Sequence, residues 1–421
     1  MPPNTTPFRP SKLDKPTDLI GRRAEVRALF SQITTTQSTA LIGAPHIGKT
    51  SLLTYLADPQ VRLEELPDST SWAFVTRNGH SLANETPTTF WRSVLQDALA
   101  AWDSQELELE ISPRLRSKTL SNLTLDATFK EIQRNGKRLV LLLDELEDLL
   151  GNASLSRREF WGHLRSLASL SPNALCYVTS SRIDPDEHAE TLKLQSGGSP
   201  LFNIARRQRL KPLLESEARQ ILGLAPLLNP TDRNAILALA GGNPYLLQLI
   251  GLLMWEERMA GKKLAGDGYV YFALATLDAL DAHFADAWKY LDQSPGAQTL
   301  AVMFTLQELE QRTHNLHYLA MASHKFPRPL KALRDAGLVV ESSPGRLHLA
   351  SGAFAIWVAQ NQMSQELDDP ETWWRNNEKL VGPITRGQLE QLGQKLSSVY
   401  GEVKGAVVDL GTAIAKNRLG V

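Results

Sequence analysis

The stretch TALIGAPHIGKTSLL, residues 39–53, constrains the fold more than any other part of the chain. Within it, Gly43-Ala44-Pro45-His46-Ile47-Gly48-Lys49-Thr50 satisfies the pattern G-x-x-x-x-G-K-[ST] at every required position. The apolar TALI before it reads as a strand, and SLLTYL after it, led by Ser51, reads as the start of a helix. Such a loop can wrap an anion in main-chain N–H groups, because glycine puts no side chain between backbone and anion. The N-terminal dipole of the following helix points at the same place. The expected ligand is a nucleotide, with Lys49 on its β and γ phosphates and the Thr50 hydroxyl on Mg²⁺. His46 reads as a spacer within the loop.

Further apolar runs place this loop in a sheet. SWAFVT (71–76), RLVLLLDE (138–145), ALCYVTSS (174–181) and RLKPL (209–213) follow TALIGA (39–44). Helical patterns such as TPTTFWRSVLQDALAAW and SRREFWGHLRSLASL separate them. Strands alternating with helices predict an α/β domain with a parallel sheet and crossover connections. LVLLL is apolar without alternation, as expected of a central strand covered on both faces. Before the first strand, Val26, Leu29, Phe30 and Ile33 share one helical face. The Pro- and Thr-rich residues 1–18 read as an extended arm.

The run LVLLLDELEDLL ends its apolar part at Asp144-Glu145. Asp144 is the expected Mg²⁺ partner and Glu145 the expected general base for the attacking water. The plainer alternative is a pair of acidic residues opening a helix; the complete phosphate loop upstream favours the functional reading. In CYVTSSR, Thr179 or Ser180 is placed to sense the γ-phosphate, and Arg182 to meet phosphate or a neighbouring subunit. Cys176 reads as a small core residue.

After Leu213 the strands stop. ESEARQILGL and TDRNAILALAGGNPYLLQLIGLLMWEERMAG are helical, interrupted at Gly241–Pro244. KALRDAGLVVESSPGRLHLA reads as a helix and a short hairpin turning at Ser343–Gly345, which fits a winged helix. Further on, Leu389, Leu392, Leu396, Val399, Val403, Ala406, Leu410 and Ala413 alternate three and four apart, a heptad seam. Gly393, Gly401, Gly405 and Gly411 interrupt it, each at a cost of about 1 kcal/mol of helix propensity. Such a helix needs a partner, either another chain or its own winged helix. GAVVDLGTAIA is apolar enough to lie on a bilayer surface.

Bulk properties narrow the class. A chain of 421 residues suggests about two to four domains. A net charge of −1 gives no global pull toward nucleic acid or anionic membrane. One cysteine excludes a disulfide framework and a cysteine-rich zinc site. No signal-peptide core or spanning apolar run is present, so a cytoplasmic protein is expected.

Taken in order, LIGRRAEVRAL, GAPHIGKTSLL, LLLDELEDL, FWGHLRSLASLSPNALCYVTSSR, SPLFNIARRQRLKPLLESEARQIL and GGNPYLLQLIG resemble the STAND branch of AAA+ ATPases. The likeness spans residues 7–360 and is nearest to bacterial members that resemble archaeal and origin-recognition ATPases. It implies an AAA+ P-loop domain (19–213), a helical lid (214–268) and a winged-helix domain (269–360); beyond it, the heptad pattern reads as a linker and C-terminal helical interaction segment (361–421). It implies that Leu19, Ile20, Gly21 and Arg22 lie against adenine. Gly43, Ala44, Pro45, His46, Ile47, Gly48, Lys49, Thr50 and Ser51 correspond to the Walker A loop, and Asp144 and Glu145 to Walker B. Arg182 corresponds to the arginine closing the sensor-1 strand, and Pro244 to the lid proline near adenine. No sensor-2 arginine is evident, and Arg165, Arg206 and Arg207 compete as arginine finger.

The resemblance implies a switch whose ADP form is closed and whose ATP form opens and assembles into homo-oligomers for signalling, with slow ATP hydrolysis and Mg²⁺. A sensor or effector protein would bind the C-terminal segment. A DNA-acting initiator or transposition ATPase is the less favoured alternative, and a nucleotide-binding scaffold with little turnover a third.

Overall fold

The computed structural model describes residues 5–11, 18–170, 174–191, 202–310, 327–343, 346–362, 412, 415, 416 and 418–420. The heptad seam of 389–413 lies outside them. The chain divides into two compact units, one of residues 12–44 and 48–211, the other of residues 1–11, 45–47 and 212–421.

In the first unit, α1 (Arg23–Thr34) leads into β1 (Thr39–Ile42), then α2 (Lys49–Ala57) and α3 (Pro59–Glu65). β2 (Trp72–Asn78) is followed by α4 (Pro87–Trp102), α5 (Gln105–Leu115) and α6 (Asn122–Arg134). β3 (Arg138–Asp144), α7 (Leu146–Gly151), α8 (Arg158–Leu170), β4 (Leu175–Ser181), α9 (Pro185–Thr191) and β5 (Arg206–Arg209) complete it. The sheet is parallel, in the order β2-β3-β4-β1-β5. After β1 the chain crosses to the far edge, so strand order reverses around β1. In open α/β sheets such a reversal leaves a crevice beyond the carboxyl ends of the strands.

Burial on both faces explains the unbroken apolar run of β3. Leu139, Leu141 and Leu143 enter a core with α4, α6 and α8. Val140 and Leu142, also fully buried, take the opposite face by the two-residue period of a strand; α2 packs on β2 and β3. In the first core, Phe90, Trp91, Phe129 and Phe160 meet edge to face at centroid distances of 5.2–5.6 Å. That is the geometry the ring quadrupoles favour. Cys176 is fully buried in β4, which raises its thiol pKa to about 12.

The fifth strand requires a correction. The apolar run pointed to 209–213, whereas the strand is Arg206–Arg209, with the sequence RRQR. Among the described residues β5 is an edge strand, paired only with β1, and its residues are partly or fully exposed. Long polar side chains suit that position. Leu210 and Leu213, which suggested a strand, are buried in the connection that follows.

The second unit is mainly helical: α10 (Glu215–Gly223), α11 (Pro230–Ala240), α12 (Pro244–Met259), α13 (Asp267–Leu291), α14 (Ala297–Glu310), α15 (Pro327–Asp335) and α16 (Gly352–Asn361). An antiparallel pair, β6 (Val339–Ser343) and β7 (Arg346–Leu349), lies between the last two helices. Asp232 of α11 is fully buried, accepts from Arg258 Nε of α12 at 2.9 Å and from the Tyr269 hydroxyl of α13 at 2.9 Å, and so ties three helices. The expected N-terminal arm is docked at Phe8, 2% exposed, whose ring lies where a Cβ on Gly251 would come within 2.5 Å.

The interruption at Gly241–Pro244 follows from close packing. A Cβ on Gly241, whose φ is 59°, would come within 1.8 Å of the Ala350 carbonyl oxygen. One on Gly242 would lie 2.3 Å from that of Leu213. Asn243 then caps α12 by accepting from the N–H groups of Tyr245 and Leu246, with Pro244 at the first helical position, where its missing N–H costs nothing.

The His46 ring, counted with this unit, stacks on Tyr245 at 4.6 Å and meets His283 edge-on at 5.2 Å. Burial, and then His46, lower the His283 pKa from 6.5 to about 4 against the pull of Asp286. Because the folded value lies below the unfolded one, this stabilisation is complete above pH 6.5 and is lost as pH falls toward 4. Allowing for solvent screening, the loss is on the order of 1 kcal/mol per pH unit or less. Denaturant unfolding of wild type and His283→Gln between pH 7.5 and 4.5 is expected to show a steeper fall for wild type. Parallel curves would contradict it.

Candidate functional site

The carboxyl ends of β1, β3 and β4 bring the acidic and basic candidates of the first unit together. β1 stops at Ile42, and the Gly43 N–H donates to the Ser181 carbonyl at 3.0 Å, hooking the loop to the end of β4. The main chain turns through left-handed conformations at His46 (φ 59°) and Gly48 (φ 97°) before α2 begins at Lys49. The Lys49 ammonium curls back to donate to the Gly43 and Ala44 carbonyls at 2.8 and 3.0 Å. Burial lowers its pKa to about 8, although Glu147, Asp144 and Glu145 pull it upward; Arg182 adds to the lowering.

This geometry fits a nucleotide phosphate. Among the described residues this half-buried ammonium bonds to its own loop's carbonyls at a helix start, a setting that suits an anion. A bound nucleotide would supply the phosphoryl group to be cleaved. Thr50 and Ser51 are half-buried in the first turn of α2. Among the described residues no three His, Cys, Asp or Glu cluster as metal ligands. Mg²⁺ in such a setting takes one or two protein oxygens beside phosphate and water, and Thr50 with Asp144 suits that demand.

Asp144, 4% exposed, ends β3. Its carboxylate accepts from the Ser180 hydroxyl and, at 3.1 Å, from the Glu145 N–H. Of the two sensor candidates, Ser180 is therefore the one joined to Asp144. The Thr179 hydroxyl is buried without a hydrogen-bond partner among the described residues. Glu145 has a φ of 53° and an exposed side chain. Gly79, just beyond β2, lets the chain approach here: a Cβ on it would lie 2.2 Å from the Glu145 carbonyl oxygen and 2.8 Å from the Leu149 nitrogen. At the far end of α7, Asn152 donates to the Ala83 and Glu85 carbonyls at 3.1 Å and accepts from Ser154 and Leu155. The short helix is thus pinned at both ends.

Arg182 follows β4, and its N–H donates to the Glu147 carboxylate. Glu147 was not among the residues the sequence singled out. Its acidic position in the first turn of α7 looks like ordinary dipole complementation, and its partner lies 35 positions away.

Leu19, Ile20 and Gly21 are half-buried, and Gly21 and Arg22 both have positive φ, 77° and 63°. The Arg22 guanidinium is buried and donates to Glu25 at 3.1 Å and to the Lys211 carbonyl at 2.6 Å, bracing α1 against the chain after β5. Of the arginine-finger candidates, Arg207 is committed internally to Asp184, Asp186 and the Phe202 and Ala205 carbonyls. Arg206 is exposed on the edge strand, and Arg165 is half-buried in α8. Pro244 lies in the second unit, at the start of α12.

The family described as Novel STAND NTPase 1 matches residues 14–354. No curated protein matches the sequence. Among solved structures, the Walker-type ATPase of Pyrococcus abyssi aligns with a TM-score of 0.54 at 19% identity, covering 83% of this chain and 99% of that one. The ORC2 protein of Aeropyrum pernix, in its ADPNP–ADP complexes, gives 0.46 at 14% identity, covering 82% and 91%. The parallel sheet, the loop after β1 and the likeness to the Pyrococcus protein show the fold of a P-loop ATPase. With the profile match running from before α1 to within α16, the chain belongs to the novel STAND NTPase family.

Proposed function

We propose that this NTPase binds and slowly hydrolyses ATP with Mg²⁺, and that nucleotide state sets whether the chain is closed and single or open and self-associated. The observation that carries the reading is the half-buried Lys49 ammonium, turned onto its own loop, together with the Asp144–Ser180 pair. Lys49, with the main-chain N–H groups of the 43–51 loop other than that of Gly43, which bonds Ser181, and of Pro45, which has none, takes the β and γ phosphates. Thr50 and Asp144 hold Mg²⁺, and Glu145 accepts a proton from the attacking water. Leu19, Ile20, Gly21, Arg22 and Pro244 take the adenine side, while Thr179 and Arg182 report on the γ-phosphate. Residues 214–268 act as a lid and 269–360 as a winged helix. The C-terminal segment is the contact for self-assembly or for an effector in the cytoplasm. A nucleotide can drive such a switch only by binding the two forms differently.

A second reading, action on DNA, draws on α15 and the β6–β7 hairpin. Arg328, Lys331 and Arg334 recur along α15. Lys331 is paired with Asp335 at 2.5 Å and Arg334 with Glu341 at 3.3 Å, which weakens a basic face. Phosphate release from ATP by the intact chain, with and without duplex DNA, separates the readings. The switch reading expects slow, Mg²⁺-dependent turnover indifferent to DNA. Turnover raised by DNA and lost steeply with salt would favour the second. No turnover and no ATP binding would exclude both.

A further inference from the structure

The Arg182 N–H donates to the carboxylate of Glu147, a residue to which the function above gives no part. Three observations point to a role for that carboxylate within the site. First, the bond joins the start of α7 to the first residue beyond β4, so the direction in which the chain leaves the sheet at Arg182 is set by Glu147. Second, Ser181, the residue before Arg182, accepts from the Gly43 N–H at 3.0 Å, and the Gly43 carbonyl accepts from the Lys49 ammonium at 2.8 Å. Glu147, Arg182 and Lys49 therefore adjoin the same end of β4. Third, α7 is held at both ends, by the close approach of Gly79 and by Asn152. Glu147 thus stands on a fixed platform rather than on a mobile turn.

Resting on the nucleotide-switch reading, we propose that Glu147 is a positioning residue: it holds the main chain at Arg182 so that the guanidinium and the Lys49 ammonium act together on the terminal phosphate of ATP. A carboxylate accepting a main-chain N–H makes a charge-assisted bond, shorter and stronger than a neutral one. Glutamine at 147 keeps an acceptor oxygen at the same reach. Aspartate is one methylene too short, and alanine has no acceptor. ADP lacks the terminal phosphate, so its binding does not depend on where Arg182 points. Glu147 consequently contributes to discrimination between triphosphate and diphosphate rather than to nucleotide affinity as such.

The test is a double-mutant cycle read by equilibrium binding of ADP and of a non-hydrolysable ATP analogue to the full chain, with Mg²⁺. Glu147→Ala and Glu147→Asp are expected to reduce preference for the analogue over ADP about tenfold, with ADP affinity within about twofold of wild type. Glu147→Gln keeps most of the preference. In an Arg182→Ala background, Glu147→Ala changes the preference by less than about twofold, since the group it positions is gone. Equal weakening of both nucleotides would assign Glu147 a structural role and overturn the proposal, as would a full Glu147 effect in the Arg182→Ala background. Should Glu147→Ala not fold, the Gln and Asp variants carry the same comparison. Lys49→Ala, run alongside, separates the two levels: wild-type binding by that variant would remove the nucleotide site itself, whereas its loss with no Glu147 effect removes only this inference.

Discussion

Lys49→Ala is expected to weaken binding of both ADP and a non-hydrolysable ATP analogue about 100-fold or more, because hydrogen bonds between an ammonium and a phosphate are charge-assisted and each is worth about 1.5–3 kcal/mol. The same variant should be no less stable than wild type. Burial lowers the Lys49 pKa to about 8, so the folded protein holds this ammonium in an unfavourable setting until an anion arrives. Its two hydrogen bonds to the Gly43 and Ala44 carbonyls are local, and those carbonyls belong to a loop already fixed to Ser181. Titration of a fluorescent nucleotide, with thermal unfolding of the same preparation, separates the effects. Weak binding with an unchanged or higher midpoint is the expected pair of results. A collapse of stability would assign Lys49 to the fold instead.

Glu145→Gln is expected to lower ATP turnover about 100- to 10,000-fold while leaving ATP affinity within about threefold of wild type, the usual cost of losing a general base. The frame at this position does not depend on the carboxylate. The Glu145 N–H makes the contacts to Asp144 and Ser180, its carbonyl faces Gly79, and its side chain is exposed. Glutamine fills the same space but cannot take a proton from water. Single-turnover phosphate release beside equilibrium binding reads both quantities. Turnover retained in Glu145→Gln would move the base elsewhere, and equal loss of binding and turnover would make Glu145 a binding residue.

Where one local chemistry dictated structure, it was legible in the sequence. Glycine, lysine and threonine at fixed spacing between an apolar run and a helical pattern announced a tight turn between β1 and α2, and LVLLL announced a strand covered on both faces. The acid pair at the end of that strand was visible because charge follows apolar sequence without a break. The edge strand was less visible: RRQR has no apolar signature, and the eye moves on to Leu210 and Leu213. Contacts between distant residues were not visible at all. Nothing in LEDLL announces that Glu147 holds the main chain at Arg182. Nothing in GAPHIGKT announces that the His46 ring, read as a spacer, stacks on Tyr245. Nor does TTPFRP show that Phe8 fills the space left by Gly251.

The site combines a fixed frame with one adjustable charge. Gly79, Asn152 and the Gly43–Ser181 bond hold the backbone around the crevice. In the proposed function, Lys49, which rests on its own loop, is the group that would turn when phosphate binds. A frame of this kind converts the presence of one more phosphate into a defined change of hydrogen bonding, and a switch needs such a difference between its two states.

The most direct test of the switch is the mass of the intact chain by light scattering, first with Mg²⁺ and ADP and then with Mg²⁺ and a non-hydrolysable ATP analogue, for wild type and Lys49→Ala. The account predicts a single chain with ADP, a defined oligomer with the analogue, and a single chain under both conditions for Lys49→Ala. The same mass with both nucleotides, at concentrations where both are bound, would contradict it.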